Sequence, residues 1–108
     1  MKKNLCIVFT TLPSEEDAKE FAEKLVASRI VECAKVFPTS SFYVWENKLV
    51  KDHEGIIIAK VRQEKVNDLE NFFMSNHPYS IPEFCVVDCS YVGEKYLEWA
   101  YTDKSIVE

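Results

Sequence analysis

The residues best equipped for chemistry are few and scattered. Asp52, His53 and Glu54 stand in a row and offer three metal-ligand types. In a strand, however, adjacent side chains point to opposite faces, so His53 turns away from Asp52 and Glu54, and a solvated hairpin is the favoured reading. Cys85 and Cys89 share a strand face, but at ~3.3 Å per residue they stand about 13 Å apart, too far to hold one tetrahedral ion. Cys6 on a neighbouring strand adds at most a two-thiolate site for a soft ion. Cys6, Cys33, Cys85 and Cys89 lack CxxC spacing and sit among apolar residues, which favours structural thiols in a reducing compartment.

His77 lies between the end of a predicted helix and two prolines, Pro78 and Pro82. Its imidazole can ligate a metal or exchange a proton near neutral pH, although a loop histidine more often serves as a hydrogen-bonding residue. Glu83, Lys60, Glu54, Tyr43, Trp45 and Trp99 add polar groups and large rings that one concavity could collect. Tyr43 and Trp45 share a strand face at period two, which suits interface packing first and stacking on a ligand second. The sequence has no GxSxG, Walker loop, HExxH or glycine-rich dinucleotide turn, and so gives no positive support for an enzyme.

Elements must position these groups, and composition bounds what they can build. The 108 residues, 47% of them apolar and 13% aromatic, suffice for one soluble domain with a real core and leave no room for a second. With 13 Lys plus Arg against 18 Asp plus Glu, the net charge is −5. No basic run is present, which argues against nucleic acid as a partner. The longest apolar stretch, Leu5 to Phe9, is far short of the roughly 20 residues that span a bilayer, and Pro13-Ser14-Glu15-Glu16 interrupts any signal-like start. A cytoplasmic protein without membrane insertion is expected.

Asn4 to Thr11 reads as a first strand. Ser14 then caps a helix running to about Arg29, with Glu15, Glu16 and Asp17 at its positive end and an apolar stripe of Ala18, Phe21, Ala22, Leu25 and Val26. Cys33 to Trp45 and Leu49 to Val61 are β-rich runs joined by a tight turn at Glu46-Asn47-Lys48, and Pro38 is expected to break or bulge the first. Val66, Leu69 and Phe73 mark a second helix to about Asn76, Phe84 to Cys89 a fourth strand, and Glu94 to Tyr101 a short terminal helix. The order βαββαβ with right-handed crossovers predicts an α+β, ferredoxin-like antiparallel sheet with both long helices on one face. Leu5–Phe9, Ile56–Ala59 and Phe84–Val87 are apolar at consecutive positions, so both sheet faces are apolar and the second needs another subunit as cover.

Thr10-Thr11-Leu12-Pro13, Cys33-Ala34, Tyr43-Val44-Trp45-Glu46, Asp52 with Glu54, Lys60, His77-Pro78-Tyr79 with Pro82-Glu83, and Tyr96-Leu97-Glu98-Trp99 occur together in order across almost the whole chain. In these the sequence resembles the CutA divalent-cation tolerance family. The resemblance implies a single CutA-like domain over 1–108 that assembles as a PII-like homotrimer, with long β2–β3 hairpins reaching across subunits and a link to copper or other divalent-cation tolerance. The copper site proposed for bacterial relatives takes a cysteine and two successive histidines; those positions here are Thr10, Asn76 and His77, so only His77 is carried over as a metal ligand, and copper or another divalent cation is expected to bind weakly, with no obligatory cofactor. Asn47 replaces the usual hairpin Gly and Val61 the Thr that follows the lysine. The expected function is that of a non-enzymatic binding or regulatory trimer whose inter-subunit pocket is built from Tyr43, Trp45, Glu54, Lys60, His77, Glu83 and Trp99, and whose ligand is a divalent cation or a small anion. The alternative is an interaction scaffold that docks another protein.

Overall fold

The computed structural model describes residues 2–107. Strand β1 (Leu5–Leu12) leads into helix α1 (Glu15–Ala27), then β2 (Cys33–Trp45), β3 (Lys48–Arg62), a single 3-10 turn, α2 (Val66–Asn76), β4 (Cys85–Asp88) and α3 (Glu94–Ala100). The strands form one antiparallel sheet in the order β2-β3-β1-β4. This is the ferredoxin-like α+β arrangement.

Local chemistry sets the boundaries. The Ser14 hydroxyl accepts from the Asp17 amide at 3.1 Å and opens α1. The helix closes two residues before the expected Arg29, because Arg29 itself takes a left-handed φ of 61°. Its amide bonds back to Val26 and that of Ile30 to Leu25, a Schellman ending in which arginine occupies the position glycine usually fills. Val26, expected on the buried stripe, is 39% exposed.

The β2–β3 turn is a two-residue one. Glu46 and Asn47 have φ of 51° and 65°, and a turn positive at both positions matches the twist of the strands it joins. Pro38 neither breaks nor bulges β2: pairing runs in constant register from Cys33↔Lys60 through Pro38↔Gly55 to Trp45↔Lys48. An edge strand tolerates proline because only one side of it must donate hydrogen bonds, and β2 is an edge.

The core lies between the sheet and α1 with α2. Val8, Leu12, Ile57, Ala59 and Val61 meet Phe21, Leu25, Leu69 and Phe73 there, all buried. Gly55 brings the α1 entrance onto β3, for a Cβ at that position would stand 2.5 Å from the Ser14 carbonyl oxygen and 2.7 Å from Ala18 Cβ. Pleat alternation sends Ile7, Phe9, Phe37, Ile56, Ile58 and Val87 to the opposite face. Phe37 and Val87 are 43% and 50% exposed. The α3 segment covers only one end of that face, where Ala100 is buried and its carbonyl accepts from Arg62 Nε at 2.9 Å. β1 ends opposite Gly55, so β2 and β3 continue alone as a ribbon of roughly 23 Å that exposes Phe42, Val44, Trp45 and Leu49. No helix among the described residues is long and apolar enough to cross a membrane.

Candidate functional site

The fold gathers the sequence-predicted residues into two groups rather than one. The first surrounds Glu54 on β3. Its side chain is buried and its Oε2 accepts from the Tyr79 hydroxyl at 2.6 Å. Burial, followed by this hydrogen bond and the carboxylate charge, pushes the Tyr79 phenol well above its ordinary range. Two residues before Tyr79, His77 lies against Phe21 and Phe73 with ring centroids 5.4 and 5.6 Å away. Its Nε2 lies 3.0 Å from the Thr11 carbonyl oxygen and 3.1 Å from Thr10 Oγ1, and its Nδ1 lies 3.1 Å from the Tyr79 amide. A carbonyl only accepts and an amide only donates, so Nε2 carries the proton and Nδ1 accepts. Both ring nitrogens are engaged, and burial lowers the imidazole pKa despite the Thr11 carbonyl and the negative charge of Glu54.

Tyr43 belongs near this group, donating to Asp52 Oδ2 at 2.5 Å. That bond holds the Tyr43 proton above the ordinary phenol range. His53 is exposed and, as strand alternation requires, on the face opposite Asp52 and Glu54, yet it still lines with Glu54 an open cavity of about 470 Å³ whose other walls are the Pro13–Glu15 turn and Pro38–Ser40.

The second group lies near the C-terminal end of β3, whereas Glu54 sits at its middle. Lys60 Nζ sits 5.4 Å over the Tyr96 ring, which stacks on Trp99 at 5.4 Å and brings its hydroxyl to 3.4 Å from Cys33 Sγ. Lys60 shares the Glu54 face of β3, but six residues separate them by roughly 20 Å. Trp45, next to the turn, and Glu83, before β4, are exposed and join neither group. One copy of the chain therefore does not assemble all seven pocket residues. The spacing of Tyr79 from His77 and of Tyr96 from Trp99 is visible in the sequence, but that their hydroxyls meet Glu54 and Cys33 is set by the fold.

The metal expectation meets a poor fit. Thr10 Oγ1 is bound to His77, and the Asn76 amide donates to the Phe72 carbonyl at 3.0 Å. Among the described residues no three His, Cys, Asp or Glu side chains converge on a point that could hold an ion. To ligate a metal, His77 would have to surrender the Tyr79 amide or the Thr11 carbonyl. Cys6 is buried and donates to Asp88 Oδ1 at 3.1 Å, a structural role.

A ferredoxin-like sheet with one apolar face uncovered, an overlong β2–β3 ribbon and two polar-aromatic groups spaced along β3 is of the PII-like class. The chain belongs to the CutA1 divalent ion tolerance protein family, whose model matches residues 6–103. It is 34% identical over 95 residues to the divalent-cation tolerance protein CutA of Pyrococcus horikoshii, covering 88% of this chain and 93% of that one. It is 33% identical over 94 residues to the chloroplastic CutA of Arabidopsis thaliana, of which it spans only 52%. The CutA1 crystal structure from Ehrlichia chaffeensis superposes with a TM-score of 0.86 at 30% identity, over 93% of this chain and 94% of that one. The PII-like CutA of Nostoc sp. PCC 7120 in its apo form gives 0.83 at 28% identity, over 88% and 92%.

Proposed function

We propose that the chain works as a homotrimeric, non-enzymatic binding or regulatory protein linked to divalent-cation tolerance, copper included, and that its ligand pocket lies between subunits. The observation that carries this reading is the uncovered sheet face of Ile7, Phe9, Phe37, Ile56, Ile58 and Val87 together with the two-stranded ribbon beyond it. Such a face is too apolar for a monomer, and an isolated ribbon is marginal by itself. A neighbouring copy is the cover whose chemistry fits both. Assembly also supplies what one copy lacks, since a ribbon from one subunit can carry Trp45 to the Glu54–His77 group or the Lys60–Trp99 group of another. Lys60 suits a small anion, Glu54 and Glu83 a hard cation, and His77 enters a pocket only by giving up one of its present partners. Cys6, Cys33, Cys85 and Cys89 are all free thiols, which supports a cytoplasmic setting.

Light scattering coupled to size exclusion, on metal-free protein and again with copper or zinc, tests the assembly. A trimer in both conditions is the expected result, and a folded monomer would sink it. Calorimetry with zinc and with inorganic phosphate then tests the pocket: binding by the parent, weakened in Lys60→Ala or His77→Ala, is expected, and no heat from either probe would remove the pocket. The engaged nitrogens of His77 favour a second reading, a scaffold that docks another protein without physiological metal; it requires partner binding that survives a chelator.

A further inference from the structure

We propose that the segment following α3 is an electrostatic strap over Trp99, latched by Lys104 on Glu32, and that the charge of Lys104 decides whether it is closed. The Lys104 ammonium sits 4.3 Å over the Trp99 ring and donates to Glu32 Oε1 at 3.1 Å and to the Thr102 carbonyl at 2.7 Å. A carboxylate, a carbonyl and a ring face are a full set of partners for one ammonium. The anchor is built into the fold, for the Glu32 side chain is only 6% exposed.

What makes this contact a latch rather than a fixed bridge is the second cation on the same carboxylate. Arg62 Nε lies 3.2 Å from Glu32 Oε2 and is itself tied to the Ala100 carbonyl. When Lys104 leaves, Glu32 stays compensated, so the stranded buried charge that makes most buried ion pairs hard to break does not arise. The Lys104 side chain is 34% exposed and rehydrates readily. Asp103, nearly fully exposed and 3.5 Å from Arg62, holds the segment little.

Closure governs a ring face. Lys104, Trp99, Tyr96 and Lys60 form a chain of contacts in that order. With the strap closed an ammonium occupies Trp99; with it open, the ring offers a free face in the same cluster as Lys60, suited to stacking a flat ligand that carries negative charge. That consequence rests on the reading of Lys60 and Trp99 as pocket residues, whereas the latch itself does not.

The test reads the latch without ligand. The chain has two tryptophans, so in a Trp45→Phe background the fluorescence reports Trp99 alone, and acrylamide is the quencher of choice because a neutral probe is indifferent to the charge being changed. Lys104→Gln is expected to raise the Trp99 quenching constant about twofold, and Lys104→Arg to keep the parent value, since guanidinium also pairs with a carboxylate and a ring. Equal quenching in parent and Lys104→Gln, or loosening by Lys104→Arg as great as by Lys104→Gln, would overturn the strap. Failure of the zinc and phosphate titrations would leave this result standing, which separates the two claims.

Discussion

The Tyr79 hydroxyl donates to Glu54 Oε2 at 2.6 Å, joining the loop after α2 to the middle of β3. The carboxylate is buried, so the bond matters mainly through what its loss leaves behind. Tyr79→Phe strands an acceptor out of water and is expected to lower unfolding stability by about 1–3 kcal/mol. Chemical denaturation of Tyr79→Phe, Glu54→Gln and the double variant should give a cycle in which the second substitution costs less than it does alone. Strictly additive losses would show that the two side chains act independently.

Gly55 and Gly93 make a matched pair. At Gly55 a Cβ meets two backbone atoms, the Ser14 oxygen at 2.5 Å and Glu15 Cα at 2.8 Å, while at Gly93 nothing lies within 4 Å. Gly55→Ala should therefore displace the α1 entrance and cost about 1–3 kcal/mol or more. Gly93→Ala should be neutral or gain up to about 1 kcal/mol by restricting the unfolded chain. Thermal unfolding of both variants, side by side, gives the comparison.

The buried imidazole of His77 sets an acid limit. Its pKa is lowered from 6.5, first by burial and against the pull of the Thr11 carbonyl and Glu54, so the unfolded chain binds the proton more readily than the folded one. The stability this contributes is complete above 6.5 and is lost as pH falls from there through the lowered value. Protonation would also put a second N–H against the Tyr79 amide. The melting temperature of the parent should drop more steeply between about pH 7 and pH 5 than that of His77→Gln; parallel profiles would mean the ring is not held neutral.

Cys6 should be silent toward thiol reagents. Burial first, then the hydrogen bond and charge of Asp88, raise its pKa from 9.0 to about 12. Three pH units reduce the thiolate, the reacting species, about a thousandfold. Mass spectrometry after brief alkylation at mild alkaline pH should find Cys6 unmodified in folded protein and modified in denaturant. Labelling at equal rates in both states would place Cys6 at the surface.

Much of the fold was written in residue order. Ser14 with the acidic first turn, the Ala18–Leu25 stripe and the alternation of β-rich runs fixed element types and their sequence, because capping and periodicity act over a few residues. The structure departs from residue order where a neighbouring element decides. Pro38 suggests a break, but its position on an edge strand makes continuous pairing harmless. Val26 fitted the helical stripe, yet α1 turns at Arg29 and leaves it half outside.

The candidate site was legible only as a list. Residue types and the His77-Pro78-Tyr79 and Tyr96–Trp99 spacings marked which side chains could bind. The split into a Glu54–His77–Tyr79 group and a Lys60–Tyr96–Trp99 group follows from the rise of an extended strand, which carries residues six positions apart on β3 roughly 20 Å from each other along one face.

By itself the sequence determined the order of elements, the family pattern and the presence of two apolar sheet faces, all consequences of short-range chemistry and period. Only the tertiary structure decided which hydroxyl meets which carboxylate, which tautomer His77 adopts and where Lys104 rests, since each depends on groups tens of residues apart brought within hydrogen-bond reach by the packing of sheet, helices and loops.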